Sequence, residues 1–273
     1  LQTCKTSKKP SHEETRFMDL ELKGKRALVT GGSKGIGRAC ADALAAEGCN
    51  VLLVSRTAAA LAAAADEIRA RHGVDAQWKA ADLSQRGAAE DVAGWAGEID
   101  ILVNNAGAIP GGDLLAVDEE TWRRAWDLKV FGYINLSRQV YARMKVRRRG
   151  VIVNVVGSAG EKMNAAYITG SVGNAALIAF TRALGGASHA DGIRVLGINP
   201  GPIATDRLVG LYRQMAQSQL GDASRYEELF KGMSFGRPGK PEEVAWTVAF
   251  FASPRSTYTS GCMLTIDGGQ VNR

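Results

Sequence analysis

The first stretch whose residue types and spacing point to chemistry is a glycine-rich turn, Thr30-Gly31-Gly32-Ser33-Lys34-Gly35-Ile36-Gly37. It follows the short apolar run Arg26–Thr30 and opens a helical pattern at Gly35. Glycines in such a place permit a tight turn and let backbone N–H groups approach a pyrophosphate at a helix N-terminus. A glycine string alone says little; a strand before it and a helix after it give it a mechanism. Two cations lie on the same side: Lys34 within the turn, and Arg56 at the end of the second apolar run, Val54-Ser55-Arg56. A guanidinium there suits a phosphate group. Other chemistries find no support. The cysteines Cys4, Cys40, Cys49 and Cys262 show no CxxC spacing, and His12, His72 and His189 are scattered without an HExxH motif. We therefore expect reduced thiols, a cytoplasmic protein and no metal site.

The elements that must position this turn are legible along the chain. Of 273 residues 45% are apolar, which excludes wholesale disorder. No window of eighteen consecutive apolar residues is present, so no membrane partner is expected. Residues Leu1 to Phe17 are polar and mixed in charge; they are expected to be a disordered or artefactual tail, with residues 18–273 a single domain. Strand-like runs fall at Arg26–Thr30, Val51–Ser55, Ala76–Ala81, Ile99–Asn104, Val151–Val156, Arg194–Ile198 and Met263–Ile266. Helical patterns lie between them at Gly35–Glu47, Ala58–Arg71, Gln85–Ala96, Asp118–Lys145, Tyr167–Ala187 and Pro241–Ala252. Most strand runs are continuously apolar, as strands buried on both faces are. The pattern predicts an α/β fold: a Rossmann-type, doubly wound parallel sheet of about seven strands with helices on both faces. Residues 206–233 interrupt the alternation with two helical pieces and no strand between them. An insertion there, at the carboxyl edge of the sheet, is placed to be a substrate lid, the alternative being an extra packing pair.

The GxxxGxG spacing of the turn resembles the short-chain dehydrogenase/reductase family. So do Asp82-Leu83 after the third strand, Asn104-Asn105-Ala106-Gly107 after the fourth, Asn199-Pro200-Gly201-Pro202-Ile203-Ala204-Thr205 after the sixth, Gly236-Arg237-Pro238-Gly239 and Ile266-Asp267-Gly268-Gly269. The resemblance spans Leu20 to Gly269 and implies a nicotinamide dinucleotide along the strand ends. It implies contacts from Gly31, Ser33, Lys34, Gly35, Ile36 and Gly37, with Asp82 and Leu83 at the adenine and Asn105, Ala106 and Gly107 on the ribose side. Pro200, Gly201, Ile203 and Thr205 would flank the carboxamide, and Tyr167 would touch the cofactor as well as the substrate. Relatives that use NAD commonly carry an acidic residue at the end of the second strand. Here Ser55 and Arg56 stand in its place, so NADP(H) is favoured over NAD(H).

The family's catalytic Asn, Ser, Tyr and Lys are only partly matched. Tyr167 fits the tyrosine, but Ser171 stands four residues on, where the lysine belongs. Lys129 takes the asparagine position, and Ser158 is displaced by one residue from the serine position. The first reading is an enzyme that moved its lysine: Tyr167 exchanges the hydroxyl proton, Lys129 is its electrostatic partner, and Ser158 assists. Its reaction interconverts a secondary alcohol and a carbonyl on a small, fairly apolar substrate. The second reading is a cofactor-binding or regulatory protein without hydride chemistry. The basic run Arg143, Lys145, Arg147, Arg148 and Arg149 ends a helix, where cations suit the dipole, and no nucleic-acid partner is expected. By resemblance the chain forms a homo-oligomer, a tetramer or dimer.

Overall fold

Runs such as Val51-Leu52-Leu53-Val54 leave no polar face for water, so they form strands only where both faces are covered. The computed structural model describes residues 18–273 and meets that condition; the tail expected at residues 1–17 lies outside the described residues. Its strands are β1 (Arg26–Thr30), β2 (Asn50–Ser55), β3 (Ala76–Ala80), β4 (Ile101–Asn104), β5 (Gly150–Val155), β6 (Ile193–Pro200) and β7 (Met263–Ile266). They pair in parallel in the order β3-β2-β1-β4-β5-β6-β7. The order reverses between β1 and β4, and open sheets of this kind bind ligands in the crevice at that switch, beyond the carboxyl ends of the strands.

The helices are α1 (Gly35–Ala46), α2 (Ala58–His72), α3 (Ala88–Ala96), α4 (Glu119–Trp126), α5 (Gly132–Arg147), α6 (Ile168–Ala187), α7 (Asp206–Leu220) and α8 (Pro241–Ala252). Alternate strand residues serve opposite faces. Ala27 and Val29 join Leu44 of α1, Leu61 of α2 and Val248 of α8 in one core, while Leu28 joins Val92 of α3 and Leu136 and Val140 of α5 in the other. A third cluster, with Tyr133 and Leu177, welds α5 to α6.

Two details depart from the sequence expectation, and one follows it. The edge strands are not buried on both faces: Gln77 and Trp78 of β3 and Leu264 of β7 are exposed, because an edge has a neighbour on one side only. The helix expected from Asp118 to Lys145 is broken into α4 and α5 by a π-helical turn, Asp127–Phe131. Such turns insert a residue into the helical ladder and concentrate at functional sites. Residues 206–233 comprise α7 and a 3₁₀ segment, Ala223–Gly232, tied together by Phe230 against Tyr212 and Tyr226 at centroid distances of 5.1 and 5.6 Å.

Beneath the crevice runs a buried polar chain. Asn104 Nδ2 donates to Ser137 Oγ and to Asn154 Oδ1, each at 2.9 Å. Asn154 Nδ2 donates to Thr181 Oγ1, also at 2.9 Å. This ties β4 and β5 to α5 and α6, the helices that follow Lys129 and Tyr167 in the chain. Each member left unpaired would cost about 1–3 kcal/mol, so the chain holds the register of these four elements.

Candidate active site

The glycine turn leaves β1 and enters α1, whose N-cap, Lys34, makes no side-chain capping bond. The first N–H groups of the helix are thus free of side-chain partners and face the crevice with the positive end of the helix dipole. One side chain explains the glycines. Asn105 Nδ2 donates to the Thr30 carbonyl at 3.0 Å and is wedged between Gly31 and Gly37, where an added Cβ would lie 2.6 and 2.4 Å from it. Thr30 Oγ1 accepts from the backbone N–H of Asn105 at 2.9 Å and of Ala106 at 3.0 Å, so β1 and β4 are locked at the switch point. The amide of Asn105, expected on the ribose side, also holds the turn in shape.

The remaining cofactor candidates surround the same crevice. Ser55 Oγ is buried without a hydrogen-bond partner at the end of β2, and Arg56 beside it is exposed. Neither Arg56 nor Lys34 makes an ion pair among the described residues. An orphaned hydroxyl and two unpaired cations fit a ribose bearing a 2′-phosphate. Asp82 Oδ1 accepts from the backbone N–H and hydroxyl of Ser84 at 3.0 and 2.8 Å, which folds its turn over and leaves its second oxygen available. Leu83 is buried under that turn. Beyond β6, Pro200 and Gly201 lead to Ile203, which is buried, and to Thr205, whose hydroxyl caps α7 by accepting from Leu208 N. The Thr205 methyl group touches the space above Gly35. The base of the expected lid therefore rests on the phosphate turn. Ser33 lies in the same turn, Ile36 in the first turn of α1 and Gly107 in the loop after β4.

Tyr167 precedes the first residue of α6 and is half-buried. Its ring lies over Gly170, where a Cβ would come within 2.1 Å of the ring's Cζ, so the residue three positions on must be glycine for the ring to settle there. The adjoining backbone is tied to the loop after β4: Gly112 N donates to the Ala166 carbonyl at 2.9 Å, and Ile168 N to the Gly112 carbonyl at 3.3 Å. Burial pushes the phenol above its usual range, and the positive charge of Arg207 pulls it part of the way back. Ser158 opens a 3₁₀ turn, Ser158–Gly160, that packs on α6. Ser171 is buried and bonded to Asn164, accepting from its N–H at 3.0 Å and donating to its carbonyl at 3.3 Å. It closes the loop before Tyr167 and supplies no charge.

Lys129 sits inside the π-helical turn, which sends its side chain inward along Gly107. Its ammonium donates to the Val156 carbonyl at 2.6 Å and lies 5.9 Å from the centre of the Tyr133 ring. The expected partner of Tyr167, Lys129, is thus hydrogen-bonded at the end of β5, and Arg207 is a second cation whose charge acts on the phenol. The physical reason is the carbonyl that the π turn brings it to. Sequence reasoning missed Arg207, because its sequence neighbours are those of any helix start. Burial, reinforced by Arg207, lowers Lys129 from 10.5 to about 8. Between about pH 8 and 10.5 the folded state therefore binds fewer protons at this group than the unfolded state, and stability rises with pH. Measured by chemical denaturation, wild type is expected to gain stability relative to Lys129→Met as pH increases from 8 to 10. A constant difference across that range would contradict the assignment.

With the geometry in view, the relatives are informative. A family model described as short chain dehydrogenase matches residues 25–216. The chain is 32% identical to the 3-oxoacyl-acyl-carrier-protein reductase FabG of Chlamydia muridarum, over 93% of this chain and 100% of that protein. The structure of L-sorbose reductase from Gluconobacter frateurii, complexed with NADPH and L-sorbose, superposes with a TM-score of 0.89 at 30% identity, covering 94% of this chain and 100% of that one. An NAD+-bound xylitol dehydrogenase superposes with a TM-score of 0.82 at 27% identity, covering 91% of this chain and 100% of that one. The nucleotide crevice, the strand order and these matches over nearly the whole described chain place the protein in the short-chain dehydrogenase family, as a nicotinamide-dependent oxidoreductase of CH–OH and C=O groups.

Proposed function

We propose that the protein is an NADP(H)-dependent reductase or dehydrogenase that interconverts a secondary alcohol and a carbonyl on a small molecule. The observation that carries this reading is the end of β2: a buried hydroxyl without a partner, Ser55, beside the unpaired Arg56. The NADPH in the sorbose reductase complex supports the same choice. Gly31, Ser33, Lys34, Gly35, Ile36 and Gly37 would hold the phosphates, Ser55 and Arg56 the 2′-phosphate, and Asp82 and Leu83 the adenine. Asn105, Ala106 and Gly107 would floor the ribose, and Pro200, Gly201, Ile203 and Thr205 the carboxamide. When bound, the cofactor supplies or takes the hydride. Tyr167 passes a proton to or from the substrate oxygen. Ser158 donates a hydrogen bond to that oxygen. Lys129, whose ammonium donates to the Val156 carbonyl, is the candidate electrostatic partner of Tyr167.

Residues 206–233 act as the lid. The apolar residues Tyr212, Tyr226 and Phe230 pack on one another, so they stiffen the lid and give no guide to the substrate. The named relatives are a 3-oxoacyl-acyl-carrier-protein reductase, an L-sorbose reductase and a xylitol dehydrogenase, and a secondary alcohol or a ketone is common to their substrates. The chain is expected to be cytoplasmic and a homo-oligomer, by family likeness. No described helix is long and apolar enough to cross a membrane.

The test is a nicotinamide absorbance assay with NADPH and NADH against a panel of apolar ketones, ketoses and 3-oxoacyl thioesters. Turnover of at least one member, with NADPH preferred, is expected. Binding of NADPH without turnover of any member would overturn the reading in favour of a cofactor-binding module.

A further inference from the structure

The geometry points to an oxyanion subsite in the crevice: Lys129 and Arg207 together bind a carboxylate carried by the substrate, so that small oxo acids and the corresponding hydroxy acids are the preferred substrates. The substrate class rests on the proposed oxidoreductase reading; the anion site itself does not.

Both cations rest on one short strip, the loop after β4. The stem of Lys129 runs along Gly107, where an added Cβ would lie 2.7 Å from its Cδ. Arg207, in the first turn of α7, donates from Nη2 to the Ile109 carbonyl. Gly107 and Ile109 are two residues apart in the chain, so their Cα atoms are at most about 7 Å apart. The same loop holds the backbone on both sides of Tyr167, through the bonds of Gly112 with Ala166 and Ile168. The cations and the reacting phenol are therefore gathered by one loop at one end of the sheet. The phosphate positions lie on its other half. The glycine turn follows β1 and Arg56 follows β2, whereas Lys129 donates at the end of β5 and Arg207 follows β6.

Neither cation has a counter-charge. Among the described residues Lys129 and Arg207 make no ion pair, although other arginines find carboxylates, such as Arg225 with Glu228 and Arg237 with Glu243. The nearest acidic residues in the chain, Asp127 and Asp206, are exposed and pair with neither. Two like charges on one strip repel, and the charge of Arg207 adds to burial in lowering Lys129 to about 8. A bound anion would relieve that repulsion. The donors to hold it are in place. An ammonium has three N–H groups, and Lys129 gives one to the Val156 carbonyl. A guanidinium has five, and Arg207 gives one to Ile109. A carboxylate suits the pair, with one oxygen toward the guanidinium fork and the other toward the ammonium. Bound so, it anchors one end of a small molecule and leaves a carbonyl a few bonds away for Tyr167.

The experiment compares ligands that differ only in charge, on the full-length protein loaded with NADP+. Binding of 2-methylpropanoate and of its uncharged amide is titrated by ligand-observed NMR, which reads weak affinities and needs no turnover. The carboxylate is expected to bind at least tenfold more tightly than the amide. Arg207→Met and Lys129→Met should each weaken the carboxylate by about tenfold or more and leave the amide within threefold, with NADP+ affinity unchanged for Arg207→Met. In the absorbance assay, kcat/KM for 2- and 3-oxobutanoate should exceed that for the matching amides by about ten- to a hundredfold, and Arg207→Met should remove most of that ratio while leaving the amides unaffected. Equal binding of carboxylate and amide by the wild type overturns the proposal without recourse to any variant. So does loss of carboxylate binding in Lys129→Met alone, since the anion would then not bridge the two cations. If no carbonyl compound is turned over but the carboxylate preference and its loss in both variants stand, the oxidoreductase reading fails and the anion site survives. If ketones are turned over and the oxo acids gain nothing over their amides, the reverse holds.

Discussion

Tyr167→Phe is expected to lower turnover by about 10²–10⁴-fold while NADP(H) still binds within about tenfold of wild type. General acid–base transfer by a positioned side chain contributes that much, and phenylalanine keeps the ring that packs over Gly170 but carries no proton. The loss should fall on kcat and kcat/KM alike, because the interaction removed is made in the transition state. Steady-state kinetics, with cofactor titration by nicotinamide fluorescence, would measure both. Turnover within threefold of wild type would move the proton to another group. A loss of cofactor affinity equal to the loss of rate would make Tyr167 a binding residue.

The same residue marks how far the sequence could be read. Tyr167 opens a helix after β5, and that placement follows from local pattern alone. Its surroundings do not. The guanidinium whose charge acts on it comes from position 207, and the carbonyl that orients that guanidinium belongs to Ile109, 98 residues away. No spacing rule within one element joins those positions; only the parallel sheet, which brings the loops after β4, β5 and β6 to one edge, does so. Lys129 was legible as an unusual residue, but its direction was not. It depends on a π turn, and the apolar periodicity from Asp118 to Lys145 reads as an unbroken helix with or without the inserted residue. Ser171 shows the converse: a hydroxyl in place of a charge was visible, and its bonds to Asn164 show the structural task it serves.

The fold was more fully legible because its signals are local and repeated. Continuous apolar strands, a capless glycine turn and amphipathic helices each constrain one element, and alternation does the rest. Where the reading slipped, at β3 and β7, the cause was position in the sheet. An edge strand has the same backbone but one neighbour fewer, and exposed Trp78 and Leu264 record that difference.

Arg56→Asp is expected to reverse the cofactor preference. One charge-assisted hydrogen bond to a 2′-phosphate is worth about 1.5–3 kcal/mol, or roughly ten- to a hundredfold in affinity. Aspartate removes that bond and adds repulsion, so the loss for NADPH should reach the upper part of this range. NADH has no phosphate to repel, and a carboxylate at this place can accept from its ribose hydroxyls, so its affinity should hold or improve. The neighbour sharpens the test. Ser55 Oγ is buried with no protein partner, so a bound phosphate would supply its missing hydrogen bond, and Ser55→Ala should weaken NADPH alone, by a smaller factor than Arg56→Asp. Ser55→Ala should keep a preference for NADPH, because Arg56 and Lys34 both remain. Titration calorimetry with both cofactors on the three proteins reads these differences directly. Equal affinity of the wild type for NADPH and NADH would refute the phosphate assignment, since neither the orphaned hydroxyl nor the two unpaired cations would then have a ligand that distinguishes them from ordinary surface groups.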